Sequence, residues 1–401
     1  MPRSVAIVGA GPSGCYTAQA LRKLDPDMRI DIFDRMPVPY GLIRYGVAAD
    51  HQGTKAVIRQ FSRLFERQNV GFAGNVTLGD GPGQVTLDDL RGAYDAVVLA
   101  LGLHGDRRPD LPGQDLPQVI GAGRLTRHWN DHPDEASFDP AFADRVAILG
   151  NGNVAVDVLR ILAKRADDLE GSDLAVRHSD RIAAAGLRRI EVIGRAPAHL
   201  AKFDPVMIRE LSKLPHVAFD VHDLDPDHAH DPRIAALSDL PRPEGAALTV
   251  AFRFGRAPDA IEGVDAVRGV RLAGGEVIPC DAVITAIGFR DGNAAPLAAD
   301  RPGVHAAGWF AHGPRGTIPD HRAAAKALAD RIHTEISRQD AIDPGLADAL
   351  MGRLARVVDY AGWQRIDAVE TADPPPGRVR GKLDDLDRML NIAGTEQEKT
   401  E

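Results

Sequence analysis

Residues 4–34, SVAIVGAGPSGCYTAQALRKLDPDMRIDIFD, decide the fold of this chain. A short apolar run is followed by a glycine-rich turn, a segment suited to a helix, and a second apolar run that ends in Asp34. Gly9, Gly11 and Gly14 fit the pattern G-x-G-x-x-G, and Asp34 lies twenty positions beyond Gly14. This order of features predicts a βαβ unit that binds an adenine dinucleotide.

Each residue of this pattern has a physical task. Gly9 lets the chain turn tightly, Gly11 lets the backbone approach a pyrophosphate, and Gly14 lets the helix pack closely on the strand. Free N–H groups and the helix dipole favour negative charge at the start of the helix. Asp34 would accept hydrogen bonds from two hydroxyls of a ribose. The first site therefore suits FAD or NAD.

A second pattern of the same kind opens at residues 145–155, RVAILGNGNVA. It reads as a strand and then G-x-G-x-x-A, in which Ala155 replaces the third glycine. The next apolar run, residues 190–193, is followed by Gly194 and Arg195. A guanidinium at this position suits a ribose 2′-phosphate, whereas an aspartate repels one. The second site therefore suits NADP, and the alternative for Arg195 is a surface arginine at a strand end.

The composition excludes several classes of function. At 401 residues the chain has room for two domains. Its two cysteines, Cys15 and Cys280, form no C-x-x-C pair, which argues against a disulfide scaffold, a dithiol centre or an iron–sulfur cluster on this chain. A net charge of −9 disfavours nucleic acid as a partner. No apolar run approaches the roughly 20 residues that span a membrane, and the N-terminus leads at once into the first strand. We therefore expect a cytoplasmic protein.

Two segments near the first pattern carry further expectations. Residues 35–47 are rich in proline and glycine, which predicts an irregular loop. Residues 54–69 predict a helix with an apolar face. Arg59, Arg63 and Arg67 lie on this helix at four-residue spacing. They form either a solvated face or a docking surface for an acidic protein.

Residues 216–246 are rich in aspartate, proline and histidine and predict a solvated loop. The histidines of this segment lack the fixed spacing and the flanking cysteines of a metal site; they are His216, His222, His228 and His230. No metal site is predicted.

With residues 313–318 the chain is identified as resembling the adrenodoxin-reductase-like family of ferredoxin–NADP⁺ reductases. Three blocks carry this resemblance, and they span most of the chain in the order found in the family. The blocks are residues 9–14 with VPYGLIRYGVAADH at 38–51; GNGNVAVD at 150–157 with Gly194, Arg195 and REL at 209–211; and AGW at 307–309 with GPRGTI at 313–318.

The resemblance implies an α/β fold with two Rossmann-like dinucleotide-binding domains, of the glutathione-reductase-like kind. A discontinuous FAD domain would comprise residues 1–106 and 289–401. An NAD(P) domain, residues 107–288, would be inserted into it.

The resemblance also implies which residues form the site. Those expected to contact FAD are Gly9, Gly11, Ser13, Gly14, Asp34, Leu42, Val76, Trp309, Gly316, Thr317 and Ile318. Those expected to contact NADP are Asn151, Gly152, Asn153, Val154 and Arg195. His51 and Glu210 match family positions near the nicotinamide, where they would orient the ring or manage protons, or have a structural role. Trp309 would pack near the flavin ring or serve as a plain core residue.

The implied activity is electron transfer from NADPH, with NADH also possible, through FAD to a ferredoxin-type iron–sulfur protein that often serves a cytochrome P450. Hydride transfer from nicotinamide to flavin depends on geometry more than on acid–base groups, because the two rings must stack within roughly 3–3.5 Å. The protein must hold both rings and stabilise the reduced flavin.

The chain departs from the family at several positions. Arg195 is followed by Ala196 where the family has a second arginine, and Met207 stands where it has a glutamate. One arginine on a phosphate is worth about 1.5–3 kcal/mol, or ten- to hundredfold in affinity, so we expect a weak preference for NADPH. His199 and Lys202 could compensate. Ala311 and His312 replace a basic pair that the family carries before residues 313–314.

Two other functions stay open at this point. The first is a flavoprotein that acts on another acceptor, such as a quinone or an imine. The second is a nucleotide-binding protein without turnover. Flavin bleaching by NADPH and reduction of a ferredoxin would separate these functions from the implied one.

Overall fold

The structure is a computed structural model that describes residues 1–290, 301–314 and 320–394. The strands are β1 Ser4–Val8, β2 Arg29–Asp34, β3 Val70–Gly74, β4 Ala96–Leu99, β5 Gly105–Asp106, β6 Val119–Gly121, β7 Arg145–Leu149, β8 Arg189–Ile193, β9 Val217–His222, β10 Leu248–Arg253, β11 Pro258–Gly263, β12 Val267–Leu272, β13 Val277–Pro279, β14 Ala282–Thr285, β15 Phe289–Arg290 and β16 Val304–Ala306. The helices are α1 Pro12–Leu24, α2 Gly41–Tyr45, α3 Gln52–Lys55, α4 Ile58–Arg67, α5 Leu87–Ala93, α6 Ala122–Trp129, α7 Asn153–Ala163, α8 Val176–Ala184, α9 Pro205–Leu211, α10 Pro232–Ser238, α11 Trp309–His312, α12 His321–Ile336, α13 Pro344–Arg353, α14 Tyr360–Ala372 and α15 Leu386–Ile392.

The first sheet has the strand order β16-β4-β1-β2-β3, and all of its strands run parallel. Its central strand β1 is buried along its whole length, as the unbroken apolar run predicts. Helices α1 and α12 pack against each other and share one group of buried residues with β1. Helices α5 and α13 pack against each other in a second group of buried residues. The sheet combines both ends of the sequence, because β16 pairs with β4.

The second sheet has the order β6-β14-β7-β8-β10-β9 and is also parallel. Its strands β7 and β8 belong to the second glycine pattern and lie at the centre, like β1 and β2 in the first sheet. The antiparallel sheet β11-β12-β13 packs beside it. In parallel sheets, ligands bind beyond the carboxyl ends of the strands, so each glycine turn lies where a dinucleotide is expected.

A short antiparallel ribbon is formed by the two segments of the chain that connect the first sheet with the second. It pairs β5 with β15, so that Asp106 faces Phe289 and Gly105 faces Arg290. The chain therefore leaves the strands of the first sheet and returns to them through neighbouring segments.

Several local expectations were wrong. Residues 35–47 contain the short helix α2. The residue before this helix, Tyr40, has a left-handed backbone conformation. The expected helix at 54–69 is divided into α3 and α4, and Lys55 at the break turns its side chain into a buried polar cluster. The expected solvated loop at 216–246 contains β9 and α10. In β9, the buried Val217 and Phe219 alternate with the half-buried Ala218 and Asp220, and this period-2 signal was hidden by the surrounding aspartates and histidines.

Among the helices that the structure describes, none combines the length and the hydropathy of a membrane-spanning segment.

Candidate functional site

The first glycine turn is closed by backbone contacts that exclude side chains. The N–H of Gly9 donates to the carbonyl oxygen of Phe33 at 2.7 Å, with φ at +112°. A Cβ on Gly9 would lie 2.3 Å from the carbonyl oxygen of Ala100, and one on Gly14 would lie 2.0 Å from that of Gly9. Both positions therefore require glycine, as the sequence pattern predicts.

The start of α1 forms a cradle for an anion. Gly11 caps this helix without a side-chain hydrogen bond, and Pro12 opens its first turn. A Cβ on Gly11 would meet nothing within 4 Å, so open space lies before the helix. The first N–H groups of a helix have no partner within the helix and are available to an anion at its N-terminus. The cradle fits the pyrophosphate of a dinucleotide.

Asp34 lies at the edge of this cradle. Its carboxylate accepts the N–H of Ala10 at 2.8 Å and that of Met36 at 2.9 Å. Burial raises the pKa of Asp34, although these two hydrogen bonds lower it. A carboxylate has lone pairs for about four hydrogen bonds, so capacity for two ribose hydroxyls remains. The N–H of buried Val76 donates to the backbone oxygen of Asp34 at 2.9 Å, which places Val76 beside it.

The loop before α2 closes over the same turn. Tyr40, with φ at +82°, donates its N–H to the carbonyl oxygen of Ala10 at 2.9 Å. A Cβ on Gly41 would lie 3.1 Å from the Cα of Gly11. The half-buried Leu42 follows directly, so the structure brings it next to the first cradle.

A third segment reaches the start of α1 from the far end of the sequence. A Cβ on Gly308 would lie 1.9 Å from Ser13 Oγ, and Gly308 has φ at +63°. Trp309 follows, with its ring 5.4 Å from that of Phe289. The structure thus brings the segment that leads into Trp309 next to Ser13 at the first glycine turn. Gly316, Thr317 and Ile318 lie outside the described residues.

The second glycine turn repeats the geometry of the first. Gly150 has φ at +128°, its N–H donates to the carbonyl oxygen of Ile193 at 2.9 Å, and a Cβ on it would lie 2.3 Å from the carbonyl oxygen of Ala286. Gly152 caps α7 without a side-chain hydrogen bond. This cradle likewise fits a dinucleotide pyrophosphate.

The residues around this second cradle are held by their own contacts. Asn153 Oδ1 accepts the N–H of Asp204 at 2.8 Å. Asn151 Nδ2 is buried and has no hydrogen-bond partner among the described residues, so a donor is left over beside the cradle. Val154 is half-buried in the first turn of α7. Residues 151–154 therefore lie together at the turn that leads into α7.

Arg195 is exposed and makes no hydrogen bond or ion pair with a described residue, which leaves its guanidinium available for a phosphate. The loop after β10 lies against it, because the N–H groups of Gly255 and Arg256 donate to the carbonyl oxygens of Ala196 and Gly194, both at 3.0 Å. The Arg256 side chain is paired with Glu276.

His51 connects the two halves of the site. Its Nε2 lies 3.4 Å from Glu210 Oε2 on α9, and its Nδ1 lies 3.4 Å from Asp157 Oδ1 on α7. Burial raises the pKa of Asp157, against the lowering by the charges of Arg160 and His51. The pair His51 and Glu210, predicted from two distant blocks, is therefore brought together between the two cradles.

A buried ion cluster beside this pair escaped the sequence prediction. Arg160 binds both oxygens of Asp50, at 2.6 and 2.8 Å, and Lys164 binds one of them at 2.8 Å. Burial alone would raise the pKa of Asp50, but the hydrogen bonds and charges of Arg160 and Lys164 outweigh it and hold the pKa below its ordinary range. Residues 110 positions apart give no local signal of such a contact.

Two surface features bear on partners and metals. Arg59, Arg63 and Arg67 are exposed and have no ion-pair partner among the described residues, which both interpretations of this stripe require. His228 lies with His199 and Asp225 in a group whose potential ligand atoms are all within 4.8 Å. The imidazoles of His199 and His228 are stacked at 3.7 Å and nearly parallel, so this group resembles a ring contact more than a set of converging ligands.

Neither cysteine can form a dithiol centre. Cys15 lies in the core of the first sheet and Cys280 beside the second, and both are buried and unbonded to each other. Burial raises the pKa of both thiols, that of Cys280 to about 12. The thiolate needed for disulfide exchange is therefore disfavoured at both positions.

The chain thus has two dinucleotide cradles, each at the edge of its own parallel sheet. This arrangement is typical of oxidoreductases that bind two dinucleotides. Residues 3–214 match the family of pyridine nucleotide-disulphide oxidoreductases, and the chain belongs to this family. The cindoxin reductase of Citrobacter braakii is 43% identical over 97% of this chain and 91% of that relative. The mitochondrial NADPH:adrenodoxin oxidoreductase of Drosophila melanogaster is 31% identical over 98% of this chain and 94% of its own length.

A solved structure agrees with these relatives. Mycobacterium tuberculosis FprA in complex with NADPH superposes with a TM-score of 0.87 and 28% identity, over 98% of this chain and 100% of that one. The comparisons confirm the predicted resemblance and fold class.

Proposed function

We propose that this chain passes electrons from NADPH through FAD to a ferredoxin-type iron–sulfur protein. The names of its relatives support this proposal, since one is a cindoxin reductase and another an NADPH:adrenodoxin oxidoreductase. The chain spans nearly the whole length of both. An iron–sulfur partner of this kind often serves a cytochrome P450.

One observation carries the proposal. Two glycine turns of nearly the same backbone geometry lie at the carboxyl edges of two parallel sheets, and the strand that follows each turn ends differently. Asp34 closes the first cradle with a carboxylate, and Arg195 lies free beside the second with a guanidinium. The first cradle therefore selects an adenosine without a 2′-phosphate. The second cradle selects an adenosine that carries a 2′-phosphate.

The assignment of residues is part of the proposal. We assign FAD to the first cradle, with Gly9, Gly11, Ser13, Gly14, Asp34, Leu42, Val76, Trp309, Gly316, Thr317 and Ile318, and NADP to the second, with Asn151, Gly152, Asn153, Val154 and Arg195. The FAD domain comprises residues 1–106 and 289–401, and the NADP domain residues 107–288. The sheet topology supports these bounds, because the ribbon of β5 and β15 lies at both crossings.

Bound FAD would accept a hydride from nicotinamide and pass electrons on singly. The chain itself supplies position and charge. The starts of α1 and α7 hold the pyrophosphates, and His51 with Glu210 lies between the cradles, where it orients the nicotinamide. The two buried, unpaired cysteines suit a reducing compartment, and we place the enzyme in the cytoplasm.

The test is stopped-flow spectroscopy on the purified chain. We expect a yellow protein whose flavin absorbance is bleached by NADPH and more slowly by NADH, and which then reduces a ferredoxin. The acceptor panel includes a flavodoxin, a quinone and a small dye. Protein that carries no flavin would refute the proposal. Rapid reduction of the dye, the quinone or the flavodoxin, with no reduction of any ferredoxin, would refute the assignment of an iron–sulfur acceptor.

A further inference from the structure

Lys202 lies beside the second glycine turn. Its backbone N–H donates to the carbonyl oxygen of Asn151 at 3.1 Å, and Gly152 and Lys202 form a parallel bridge. The Cβ of Lys202 is 3.8 Å from the point where a Cβ on Gly152 would stand. The side chain thus begins next to the residue that caps α7.

The ammonium of Lys202 is uncommitted. The residue is exposed, and its side chain makes no hydrogen bond or ion pair with any residue that the structure describes. The nearest acid in sequence, Asp204, uses its carboxylate to cap α9 by accepting the N–H of Val206 at 2.9 Å. A lysine side chain extends about 5 Å beyond its Cβ, which is enough to reach over the open space before α7.

We propose that Lys202 binds the pyrophosphate of the nicotinamide nucleotide. This role rests on the proposed nucleotide site. It differs from the role expected from the sequence, in which Lys202 could compensate for the arginine that is missing at Ala196. The structure fixes Lys202 to the glycine turn, where the pyrophosphate meets the helix N-terminus. Arg195 lies instead after β8, the position that reads the 2′-phosphate.

This placement gives Lys202 a defined effect on cofactor choice. NADPH and NADH carry the same pyrophosphate, so a cation at that group strengthens the binding of both by the same factor. A cation at the 2′-phosphate strengthens only NADPH. Lys202 therefore sets affinity and leaves the preference to Arg195.

Isothermal titration of the FAD-loaded enzyme with two fragments separates these roles. ADP-ribose carries the pyrophosphate without a 2′-phosphate, and 2′-AMP carries the reverse. For Lys202→Gln we expect the Kd of ADP-ribose to rise about five- to tenfold, as for loss of a charged hydrogen bond at an exposed site, with that of 2′-AMP unchanged. Lys202→Arg should restore most of the affinity. For Arg195→Gln we expect the opposite pattern.

Lys213→Gln is the matched control, because Lys213 is also exposed and lies beyond the end of α9. It should leave both constants unchanged. Weaker 2′-AMP binding by Lys202→Gln, or no change in either fragment, would overturn the role of Lys202 alone. A wild-type enzyme that binds neither fragment would instead overturn the proposed nucleotide site.

Discussion

His51 Nε2 lies 3.4 Å from Glu210 Oε2, and this contact joins the segment after α2 to helix α9 beside the second sheet. Asp157 on α7 approaches the other ring nitrogen at the same distance. The imidazole is therefore held by two carboxylates from the proposed NADP domain, while its backbone belongs to the proposed FAD domain. The contact with Asp157 links the segment that follows the first glycine turn to helix α7, which begins at the second.

We expect His51→Gln to slow flavin reduction by NADPH about tenfold, the scale of a small misplacement of the reacting rings. The FAD content and the Kd for NADP⁺ should change little, because neither cradle includes the ring. Stopped-flow bleaching at saturating NADPH measures the rate, and titration measures the affinity. His230→Gln, at an exposed histidine, is the control. A raised Kd with an unchanged rate would show that His51 serves binding alone.

Asp50→Asn should destabilise the protein by about 3–5 kcal/mol, because Arg160 and Lys164 would lose a buried carboxylate. Asp348→Asn removes an ion pair with Arg29. Because the carboxylate of Asp348 is 74% exposed, this change should cost less than about 1 kcal/mol. Urea unfolding at pH 7 compares the two variants. A loss for Asp50→Asn no larger than for Asp348→Asn would contradict the prediction.

The pH dependence of the Asp50 contribution has a defined sign. Its pKa lies below the ordinary value in the folded state, so its stabilisation is fully present above about pH 4 and is lost as the pH falls toward the folded pKa. The difference between wild type and Asp50→Asn should therefore shrink on acidification. A constant difference from pH 7 down to pH 3 would be inconsistent with this sign.

Lys55 and Lys382 share one buried carboxylate, that of Asp173, at 2.8 and 2.9 Å. Asn130 Oδ1 also accepts from both ammonium groups. Burial and then the charge of Lys382 lower the pKa of Lys55 well below its ordinary value. The pKa of Asp173 is lowered to about 2, because the two lysines outweigh its burial. The cluster thus places two lysine side chains against a single carboxylate.

We expect Lys55→Met to be neutral or stabilising at pH 7, since Lys382 alone balances Asp173. Asp173→Asn should cost about 3–5 kcal/mol, because it leaves two buried cations without a counter-charge. A lysine with a lowered folded pKa makes stability rise with pH up to about 10.4, and Lys55→Met should remove this slope. Urea unfolding between pH 7 and 10 tests both variants. Equal losses for the two would contradict the charge balance proposed here.

The two glycine turns could be predicted from the local sequence. Gly9 and Gly150 could be identified because each meets a carbonyl oxygen where only glycine fits. Asp34 and Arg195 could be proposed because a fixed βαβ geometry places the end of the second strand at the same edge as the glycine turn. His51 and Glu210 came only from the resemblance, because nothing local relates residues 159 positions apart.

The features that were missed depend on tertiary packing. The division between α3 and α4 accompanies the burial of Lys55 against Asp173, 118 positions away. Helix α14 was not predicted, although its Glu370 is buried and binds Arg44 of α2. The partners of these charged residues are distant in sequence, and only the folded chain shows them. Burial of paired charges therefore could not be predicted from the local sequence of these two segments.

Cofactor preference gives the sharpest test of the second cradle. Ala196 is half-buried and its carbonyl oxygen accepts the N–H of Gly255, so a side chain there starts next to Arg195. We expect Ala196→Arg to add a second phosphate contact and to raise the preference for NADPH over NADH about tenfold or more, as for a charged hydrogen bond. Stopped-flow flavin reduction with each nucleotide gives the ratio.

Ala184→Arg is the control for this change, because it adds the same charge at an exposed position at the end of α8. It should leave the ratio unchanged, and Arg195→Gln should lower it. The gain from Ala196→Arg should also decrease with added salt, because exposed charges are screened beyond about 10 Å at 0.1 M. If Ala196→Arg leaves the NADPH-to-NADH ratio as it is, the 2′-phosphate lies elsewhere and Arg195 is a surface arginine at a strand end.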